Sequence, residues 1–347
     1  MRILFTKLRH IGDNLLVTPI IVATKLRYPD AEIWMAVRRS TEGILAGCPE
    51  IDRIVTTARP EESKRSWKDR LEDSSTFALI ARTHFDYAFE LGDNDRGRVL
   101  VAASMATVRG AHHGDPGLKP FWRRLFHDVI SADRSAMHQV EMDYIIPKQV
   151  LGLSEEVPPL RFDVNATRTW TGAFDPEKED FAIVHAATRW KSKAWPLERW
   201  RKVLEEILEF TPRILVSCGP GEAEVAEAAA LCMGFGERVT TTGGKASWAQ
   251  LAWLMQRARY YVGVDTAAMH LAAAMQCPIV ALFGESIPEQ FGPWKCPHEM
   301  VAPAGRGVGE PPGDTCVQNH RMIVIEVNQV VSACRSMAGL RQENRHP

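Results

Sequence analysis

The sequence predicts an α/β protein built from two doubly wound parallel sheets. The first observation is a strand–helix–strand unit in which apolar strands at 260–264 and 278–283 flank an Ala-rich helix at 266–275. The second is the repetition of short apolar strands and helical segments through both halves of the chain. The third is the length of 347 residues, which is sufficient for two domains of about 150 residues each.

In the first half, alternating apolar residues predict a strand at 2–6, and apolar residues at helical spacing predict a helix at 15–26. The further strands predicted in this half lie at 31–37, 53–57, 87–91 and 107–111. The stretch at 110–138 is predicted to be irregular and basic, and a helix is predicted at 138–153.

In the second half, Pro196 is typical of the first turn of a helix. The helices predicted in this half, besides the one at 266–275, lie at 196–210, 222–233, 248–257 and 324–340. The strands predicted before the 260–283 unit lie at 181–186, 213–218 and 239–242. A Pro/Gly-rich stretch at 293–313 is predicted to be irregular.

These elements divide the chain into two domains and a tail. Residues 154–159, which are polar and then proline-rich, are predicted to form the linker. We expect a first domain at 1–155, a second at 160–325, and a C-terminal helix and tail at 326–347.

Composition and charge restrict the class of protein. The formal net charge of −1 argues against general nucleic-acid binding, so an anionic partner must be bound by local cations. The seven cysteines include no CxxC pair, which indicates reduced thiols and neither a disulfide framework nor a zinc site. The basic and apolar N-terminus is interrupted at 12–14, and no apolar run approaches the ~18 residues of a membrane span. We therefore expect a cytoplasmic protein that at most touches a membrane surface.

The first strand-to-helix loop carries polar residues at the edge where parallel sheets bind ligands. They are two cations, an imidazole and a carboxylate: Lys7, Arg9, His10 and Asp13. Gly12 permits a tight turn beside Asp13, so the loop can hold both an anion and a general base. Alternatively, Asp13 only caps the helix that follows.

A second candidate is the basic segment at 119–124, which contains Phe121, Trp122, Arg123 and Arg124. Arginine pairs bidentately with phosphate, and aromatic rings can lie against a sugar or a lipid. The segment therefore suits a phosphorylated or membrane-bound acceptor. The alternative is a solvated surface loop.

Two loops in the second half suit a nucleotide. The loop after the strand at 181–186 carries Thr188 and Lys193, a hydroxyl donor and a mobile point charge that suit a pyrophosphate. An exposed basic loop is the alternative. Glu222 follows the next strand, where it either accepts hydrogen bonds from ribose hydroxyls or complements a helix dipole.

The helix of the 260–283 unit is a third candidate in this half. Asp265 follows a strand, and the helix then begins with Thr266, Ala267 and Ala268. Its free N–H groups and positive dipole end suit a phosphate. The alternative is an ordinary helix capped by Asp265 or Thr266, with His270 packed one turn further on.

Three stretches together resemble one family. They are Gly12-Asp13 with Thr18-Pro19, Lys193-Ala194-Trp195-Pro196, and Asp265-Thr266-Ala267-Ala268-Met269-His270 leading to Phe283-Gly284. They are similar to the ADP-heptose:lipopolysaccharide heptosyltransferases, with matching spacing over about residues 1–335. Within that family, the loops at 9–16 and 189–193 most resemble heptosyltransferase III.

The resemblance implies a GT-B architecture, in which two Rossmann-like domains face each other across a cleft, the acceptor on the first and the nucleotide sugar on the second. It implies inverting transfer of heptose from ADP-heptose to the inner core of lipopolysaccharide. It also implies no metal or other cofactor, no nucleic-acid partner, and a place in the cytoplasm in peripheral contact with the inner membrane surface.

The roles of the family's residues transfer to matching positions. Asp13 matches the general base, and Lys193 matches the cation that stabilises the departing ADP. The residues expected to bind the donor are Thr188, Lys193, Glu222, Asp265, Thr266, Ala267, Ala268 and His270. The residues expected to bind the acceptor are Lys7, Arg9, His10, Gly12, Arg123 and Arg124. Ala267 replaces the family's usual glycine, which is tolerated only if Ala267 has helical dihedral angles.

Two other classes of protein remain as alternatives. A nucleotide-sugar epimerase of similar architecture would release an altered nucleotide sugar without needing an acceptor. A non-catalytic sugar- or nucleotide-binding protein would not need Asp13. The joint presence of Asp13, Lys193, Thr266 and His270 counts against both.

Overall fold

The chain forms two compact units, Met1–Arg161 and Phe162–Pro347. The computed structural model describes residues 1–58, 67–113, 118–131, 137–164, 170, 172, 174–284, 286–303 and 320–343. Within these ranges, no helix is both long enough and apolar enough to cross a lipid bilayer.

The first unit is built on a parallel sheet. Its six described strands are β1 (Arg2–Lys7), β2 (Glu32–Arg38), β3 (Arg53–Thr57), β4 (Tyr87–Glu90), β5 (Val108–His113) and β6 (Asp128–Ser131). They are hydrogen-bonded in the order β3-β2-β1-β4-β5-β6. The described helices are α1 (Ile11–Leu15), α2 (Thr18–Arg27), α3 (Trp67–Arg82), α4 (Asp95–Ala103), α5 (Pro120–Arg123) and α6 (Gln139–Leu151), with a 3₁₀ turn at Glu42–Leu45. The strand order reverses between β1 and β4, which is the topological switch point of a doubly wound sheet.

The second unit repeats this plan. Its six described strands are β7 (Phe181–His185), β8 (Arg213–Val216), β9 (Val239–Thr241), β10 (Tyr261–Val264), β11 (Ile279–Leu282) and β12 (His298–Val301). They are hydrogen-bonded in the order β12-β11-β10-β7-β8-β9, so the switch point lies between β7 and β10. The described helices are α7 (Leu197–Ile207), α8 (Glu222–Cys232), α9 (Trp248–Arg257), α10 (Ala267–Ala274), α11 (Pro288–Phe291), α12 (His320–Ile323) and α13 (Val327–Glu343), with 3₁₀ turns at Lys191–Lys193 and Gly236–Arg238. The prediction of two doubly wound α/β sheets is confirmed.

The central strands are mostly apolar because a doubly wound sheet is covered by helices on both faces. Every residue of β7 and of β10 is buried. The helices present one apolar stripe to the sheet, as α7 does with buried residues at helical spacing: Trp200, Val203, Leu204 and Ile207. The C-terminal helix α13 contributes Val330 and Cys334 to the same core as α7.

The structure differs from the sequence prediction at one edge of each sheet. Strand β6 lies within the stretch at 110–138 and strand β12 within the stretch at 293–313, and both stretches were predicted to be irregular. Each strand has only one neighbouring strand, and β12 is largely uncovered, so neither carries the continuous apolar run of a central strand. Parts of these two stretches, at 114–117, 132–136 and 304–313, lie outside the described residues.

The beginning of the chain also differs from the prediction. Strand β1 extends to Lys7, which therefore belongs to the strand and not to the loop. The helix predicted at 15–26 corresponds to α2, and a separate short helix, α1, occupies Ile11–Leu15 in the stretch predicted to be a loop. Helix α2 carries Pro19 in its first turn, where the missing N–H of proline is tolerated but cannot continue a preceding helix.

Candidate functional site

The loops that follow β1 and β4 pack against each other at the switch point of the first sheet. Arg9 Nε donates a hydrogen bond of 2.6 Å to the carbonyl oxygen of Gly92. A Cβ atom at Gly92 would lie 3.4 Å from the Leu8 backbone nitrogen, which is van der Waals contact between the two loops. Arg9, predicted to bind the acceptor, thus fastens the two loops together.

Asp13 lies in the first turn of α1, directly after Gly12. Its Oδ2 accepts a hydrogen bond of 3.0 Å from the backbone N–H of His10, the N-cap residue. The capping contact offered as the alternative is therefore present. Asp13 is partly exposed, and its Oδ1 accepts no hydrogen bond from any described residue. One carboxylate oxygen holds the helix, and the other can take a proton from a hydroxyl; that Asp13 is a general base stays a prediction.

Lys7 is buried, which corrects the expectation that it lies in an acceptor-binding loop. Its Nζ is 2.5 Å from Asp143 Oδ2 and donates a hydrogen bond of 2.8 Å to the Leu91 carbonyl oxygen. An ammonium group that has left water must be paired and hydrogen-bonded, and both conditions are met. Lys7 joins the strands β1 and β4 to helix α6 and does not face a substrate directly.

The partner of Lys7, Asp143, was missed by the sequence reasoning. Gln139 Nε2 donates a hydrogen bond of 2.8 Å to Asp143 Oδ1, and His112 Nε2 lies 3.5 Å from the same oxygen. Burial raises the pKa of Asp143, but the charge of Lys7 and the hydrogen bond from His112 outweigh it and leave the pKa below its usual range. The available signal was an acidic residue on the apolar face of the predicted helix at 138–153.

The basic segment at 119–124 is held beside the first turn of α4. Trp122 Nε1 donates a hydrogen bond of 3.0 Å to Asp95 Oδ1, and Asp95 opens α4 just after the β4 loop. The hydrogen bond from Arg98 lowers the pKa of Asp95 and so favours the charged acceptor form. Arg123 and Arg124 are exposed, and neither guanidinium pairs with a described residue. The buried Trp122 thus holds two free cations on the side of the β4 loop.

At the switch point of the second sheet, the loops after β7 and β10 are joined by an ion pair. Lys193 Nζ lies 2.5 Å from Asp265 Oδ2; the Lys193 side chain is 26% exposed and that of Asp265 only 8%. Lys193 ends the 3₁₀ turn Lys191–Lys193, and Asp265 directly follows β10. The structure brings these two predicted donor residues together, and Asp265 orients the lysine.

Helix α10 begins beside that ion pair. Thr266 is its N-cap residue with extended backbone, and Ala267 and Ala268 are its first two residues. Ala267 therefore has the helical dihedral angles that its replacement of glycine requires. His270 is buried, and its Nε2 lies 3.9 Å from Asp265 Oδ1, whereas Lys193 pairs with Oδ2 of the same carboxylate. Its predicted contact with phosphate stays a prediction.

The two other predicted donor residues lie on loops of the same edge. Thr188 Oγ1 accepts a hydrogen bond of 3.3 Å from the Trp190 backbone N–H, which shapes the loop after β7. Glu222 is exposed as the first residue of α8, where both predicted roles are open to it. Glu224, which the sequence reasoning missed, accepts a hydrogen bond of 2.8 Å from the Gly219 N–H and fixes the loop after β8.

His185, the last residue of β7, was also missed. Its Nδ1 lies 2.9 Å from Ser217 Oγ, at the end of the neighbouring strand β8. Burial lowers the pKa of His185 from 6.5 to about 4. The imidazole is therefore neutral at pH 7, at the end of the strand that leads into the loop carrying Lys193.

We expect this histidine to make the stability of the second unit depend on pH. Between the unfolded pKa of about 6.5 and the folded pKa of about 4, the unfolded state binds a proton that the folded state does not. The free energy of unfolding should therefore fall as the pH falls, by about 2 kcal/mol between about pH 7 and about pH 5. Urea unfolding at the two pH values measures this loss. His185→Gln should remove most of this loss, and His298→Gln, at an exposed histidine, should leave the loss unchanged. If the unmodified protein and both variants lose the same free energy of unfolding between the two pH values, the assignment is contradicted.

Comparison with solved structures shows the fold class of the whole chain. The Escherichia coli heptosyltransferase WaaC with ADP-2-deoxy-2-fluoro heptose superposes with a TM-score of 0.76 at 19% identity, covering 97% of this chain and 99% of that one. The chain thus has the GT-B fold. The model of glycosyltransferase family 9 (heptosyltransferase) matches residues 106–305, more than half of the sequence. The chain belongs to that family, which confirms the enzyme class over the epimerase and the non-catalytic binding protein.

Two curated relatives align over most of the chain. Lipopolysaccharide heptosyltransferase 3 of Escherichia coli strain K12 is 24% identical over 296 residues, 83% of this chain and 83% of its own. Lipopolysaccharide heptosyltransferase 1 of the same strain is 25% identical over 319 residues, 88% of this chain and 94% of its own. The chain is thus about equally similar to the two enzymes in identity.

Proposed function

We propose that the protein is an inverting glycosyltransferase that moves heptose from ADP-heptose to the inner core of lipopolysaccharide. The observation that carries the proposal is the Lys193–Asp265 pair beside the N-terminus of α10, in a chain of a heptosyltransferase family. The relatives' names support a lipopolysaccharide acceptor, and a similar structure holds an ADP-heptose analogue. We place the reaction in the cytoplasm, at the inner membrane that carries the acceptor.

In the proposed reaction, Asp13 acts on the acceptor, and Lys193 and helix α10 act on the donor. Asp13 Oδ1 removes the proton from the acceptor hydroxyl, whose oxygen attacks the anomeric carbon from the face opposite ADP. The bond between that carbon and the phosphate oxygen breaks, and the electron pair leaves with ADP. Lys193 and the N–H groups that open α10 stabilise the charge on the departing phosphate. The configuration at the anomeric carbon is inverted because a single displacement occurs there.

Among the acceptors, we propose the one used by heptosyltransferase III. The support is the likeness of the loops at 9–16 and 189–193 to that enzyme. The test is to incubate the protein with ADP-heptose and core acceptors truncated at successive sugars, and to read the product masses. A gain of one heptose unit on one acceptor identifies the step; hydrolysis or alteration of ADP-heptose with no acceptor product would contradict the proposal.

We expect transfer to proceed without a divalent metal. Lysine and helix N–H groups supply the charge stabilisation that Mg²⁺ gives in other nucleotide sites, and no three His, Cys, Asp or Glu side chains cluster as metal ligands within the described ranges. The measurement is the transfer rate after dialysis against EDTA, with and without added Mg²⁺. Activity that is lost in EDTA and restored by Mg²⁺ would overturn this expectation.

The two exposed arginines of the basic segment should serve the acceptor. Replacing Arg123 and Arg124 with Glu reverses two charges that pair with no described residue, so the fold should be unchanged. The acceptor KM should rise by about tenfold or more, while ADP-heptose affinity stays near that of the unmodified protein. Steady-state kinetics with each substrate varied, and calorimetry for the donor, separate the two. Equal losses for both substrates would show that the segment does not serve the acceptor.

A further inference from the structure

Helix α3 of the first unit turns its acidic residues inward. Asp69 Oδ1 lies 2.7 Å from Arg39 Nη2, and Glu72 pairs with the same guanidinium. Asp73 pairs with Arg96 of α4 at 3.0 Å. All three carboxylates of the helix are thus neutralised by arginines of the loops and helix behind it.

The opposite face of α3 exposes apolar side chains. Trp67 is 68% exposed and Leu71 is 58% exposed, and their spacing of four residues places them side by side on one face. Phe77 is also exposed further along the helix. In its first two turns α3 thus reverses the polarity of an ordinary surface helix, whose apolar residues face inward and whose charged residues face outward, whereas further along Ile80 packs into the core in the usual way.

The part of α3 that exposes these apolar side chains also exposes cations. Lys68 and Arg70 are exposed, and neither forms an ion pair with a described residue. A helix that combines exposed Trp and Leu with unpaired Lys and Arg has the composition of a helix that lies in the headgroup region of a bilayer. Trp favours that interface because its ring is apolar and its N–H is polar.

The first turn of α4, which pairs with α3, also binds a segment that carries a further exposed aromatic residue. The first turn of α4 binds α3 through Arg96 and binds the basic segment through Asp95, which accepts from Trp122. Phe121, adjacent to Trp122, is exposed. The apolar surface of α3 and the basic segment at 119–124 are therefore attached to consecutive residues of one helix.

We propose that the outward face of α3, formed by Trp67, Lys68, Arg70, Leu71 and Phe77, binds the surface of a membrane that contains anionic lipids. The unpaired cations select the anionic headgroups, and Trp67 and Leu71 enter the boundary between headgroups and acyl chains. The inference extends the proposed function, whose acceptor is carried by a membrane. It names the surface by which the enzyme reaches that acceptor.

The test is co-sedimentation of the full chain with vesicles of phosphatidylcholine alone and of phosphatidylcholine mixed with phosphatidylglycerol, neither of which contains lipopolysaccharide. The protein should bind the anionic vesicles and bind the neutral ones at least about tenfold more weakly. Trp67→Ser with Leu71→Ser should lower affinity for the anionic vesicles about tenfold or more, and Lys68→Glu with Arg70→Glu should do so and remove the lipid preference. The matched controls are Leu26→Ser, at a side chain 76% exposed on α2, and Lys202→Glu, exposed on α7.

Several results would overturn the inference: no vesicle binding by the unmodified protein, equal binding to both vesicles, or equal losses in the controls. Self-association that Trp67→Ser with Leu71→Ser abolishes would assign the face to a second copy of the chain. Transfer to a lipid-free acceptor should be unchanged in all variants, and circular dichroism verifies folding. Transfer without vesicle binding would refute this inference and leave the proposed function standing; vesicle binding without transfer would do the reverse.

Discussion

Asp13→Asn should lower the rate of heptose transfer by ~10²–10⁴ while leaving the fold and donor binding intact. An amide oxygen can still accept the hydrogen bond that the His10 N–H donates to Asp13 Oδ2, so the first turn of α1 keeps its cap. The amide cannot take a proton from the acceptor. Single-turnover transfer and calorimetric ADP-heptose affinity measure the two effects separately.

Helix α6 offers a matched control for this substitution. Glu141 Oε2 accepts a hydrogen bond of 3.1 Å from the backbone N–H of its N-cap, His138, in the same way that Asp13 serves α1. Glu141→Gln therefore makes the same change from carboxylate to amide at a second capped helix of the same unit, and it should leave transfer unchanged. Near-normal turnover of Asp13→Asn with intact donor binding would leave Asp13 with the capping role alone.

Lys193→Ala should lower the rate of transfer by ~10²–10³, the usual effect of removing one group that stabilises developing charge. The loss has a second source, because the substitution also leaves the Asp265 carboxylate without its cation beside the N-terminus of α10. A donor phosphate would then meet an unpaired negative charge. ADP-heptose affinity should fall together with the rate, as kinetics and calorimetry can measure.

Two variants test this explanation. Lys191→Ala removes an exposed cation two residues away that pairs with no described residue, and it should have a much smaller effect. Adding Asp265→Asn to Lys193→Ala should restore part of the donor affinity, because the two residues form one pair and their effects are not additive. Equal losses for Lys191→Ala and Lys193→Ala would contradict the assignment of Lys193.

The sequence predicts the buried strands well and the edge strands poorly. Strands such as β7 and β10 are covered on both faces and therefore consist mainly of apolar residues, a run that is easily recognised in the sequence. The edge strand β12 contains His298 and Glu299 and has one neighbour, so its backbone pairing with β11 decides its structure and its own residues do not. The same reason applies to β6, whose residues were assigned to an irregular basic stretch.

Position after a strand identifies which loops carry the candidate site, but not how their side chains pair. Lys193 and Asp265 were both predicted to bind the donor, yet they are 72 residues apart and nothing in the local sequence indicates their ion pair. Asp143 was missed because it lies inside a helix, where an acidic residue normally faces solvent. Its role became visible only when the fold placed it against Lys7.

The pair of Lys7 and Asp143 also bears on how the chain is made. Strand β1 precedes the other described strands of its sheet and lies in the middle of it, but the Lys7 charge at its end pairs with Asp143, 136 positions later, in the last described helix of the unit. Until that helix emerges, burying the Lys7 ammonium group would cost several kcal/mol. Lys7 therefore keeps the carboxyl end of β1 exposed to water. A nascent chain that has not yet exposed Asp143 should thus remain open and depend on chaperones against aggregation.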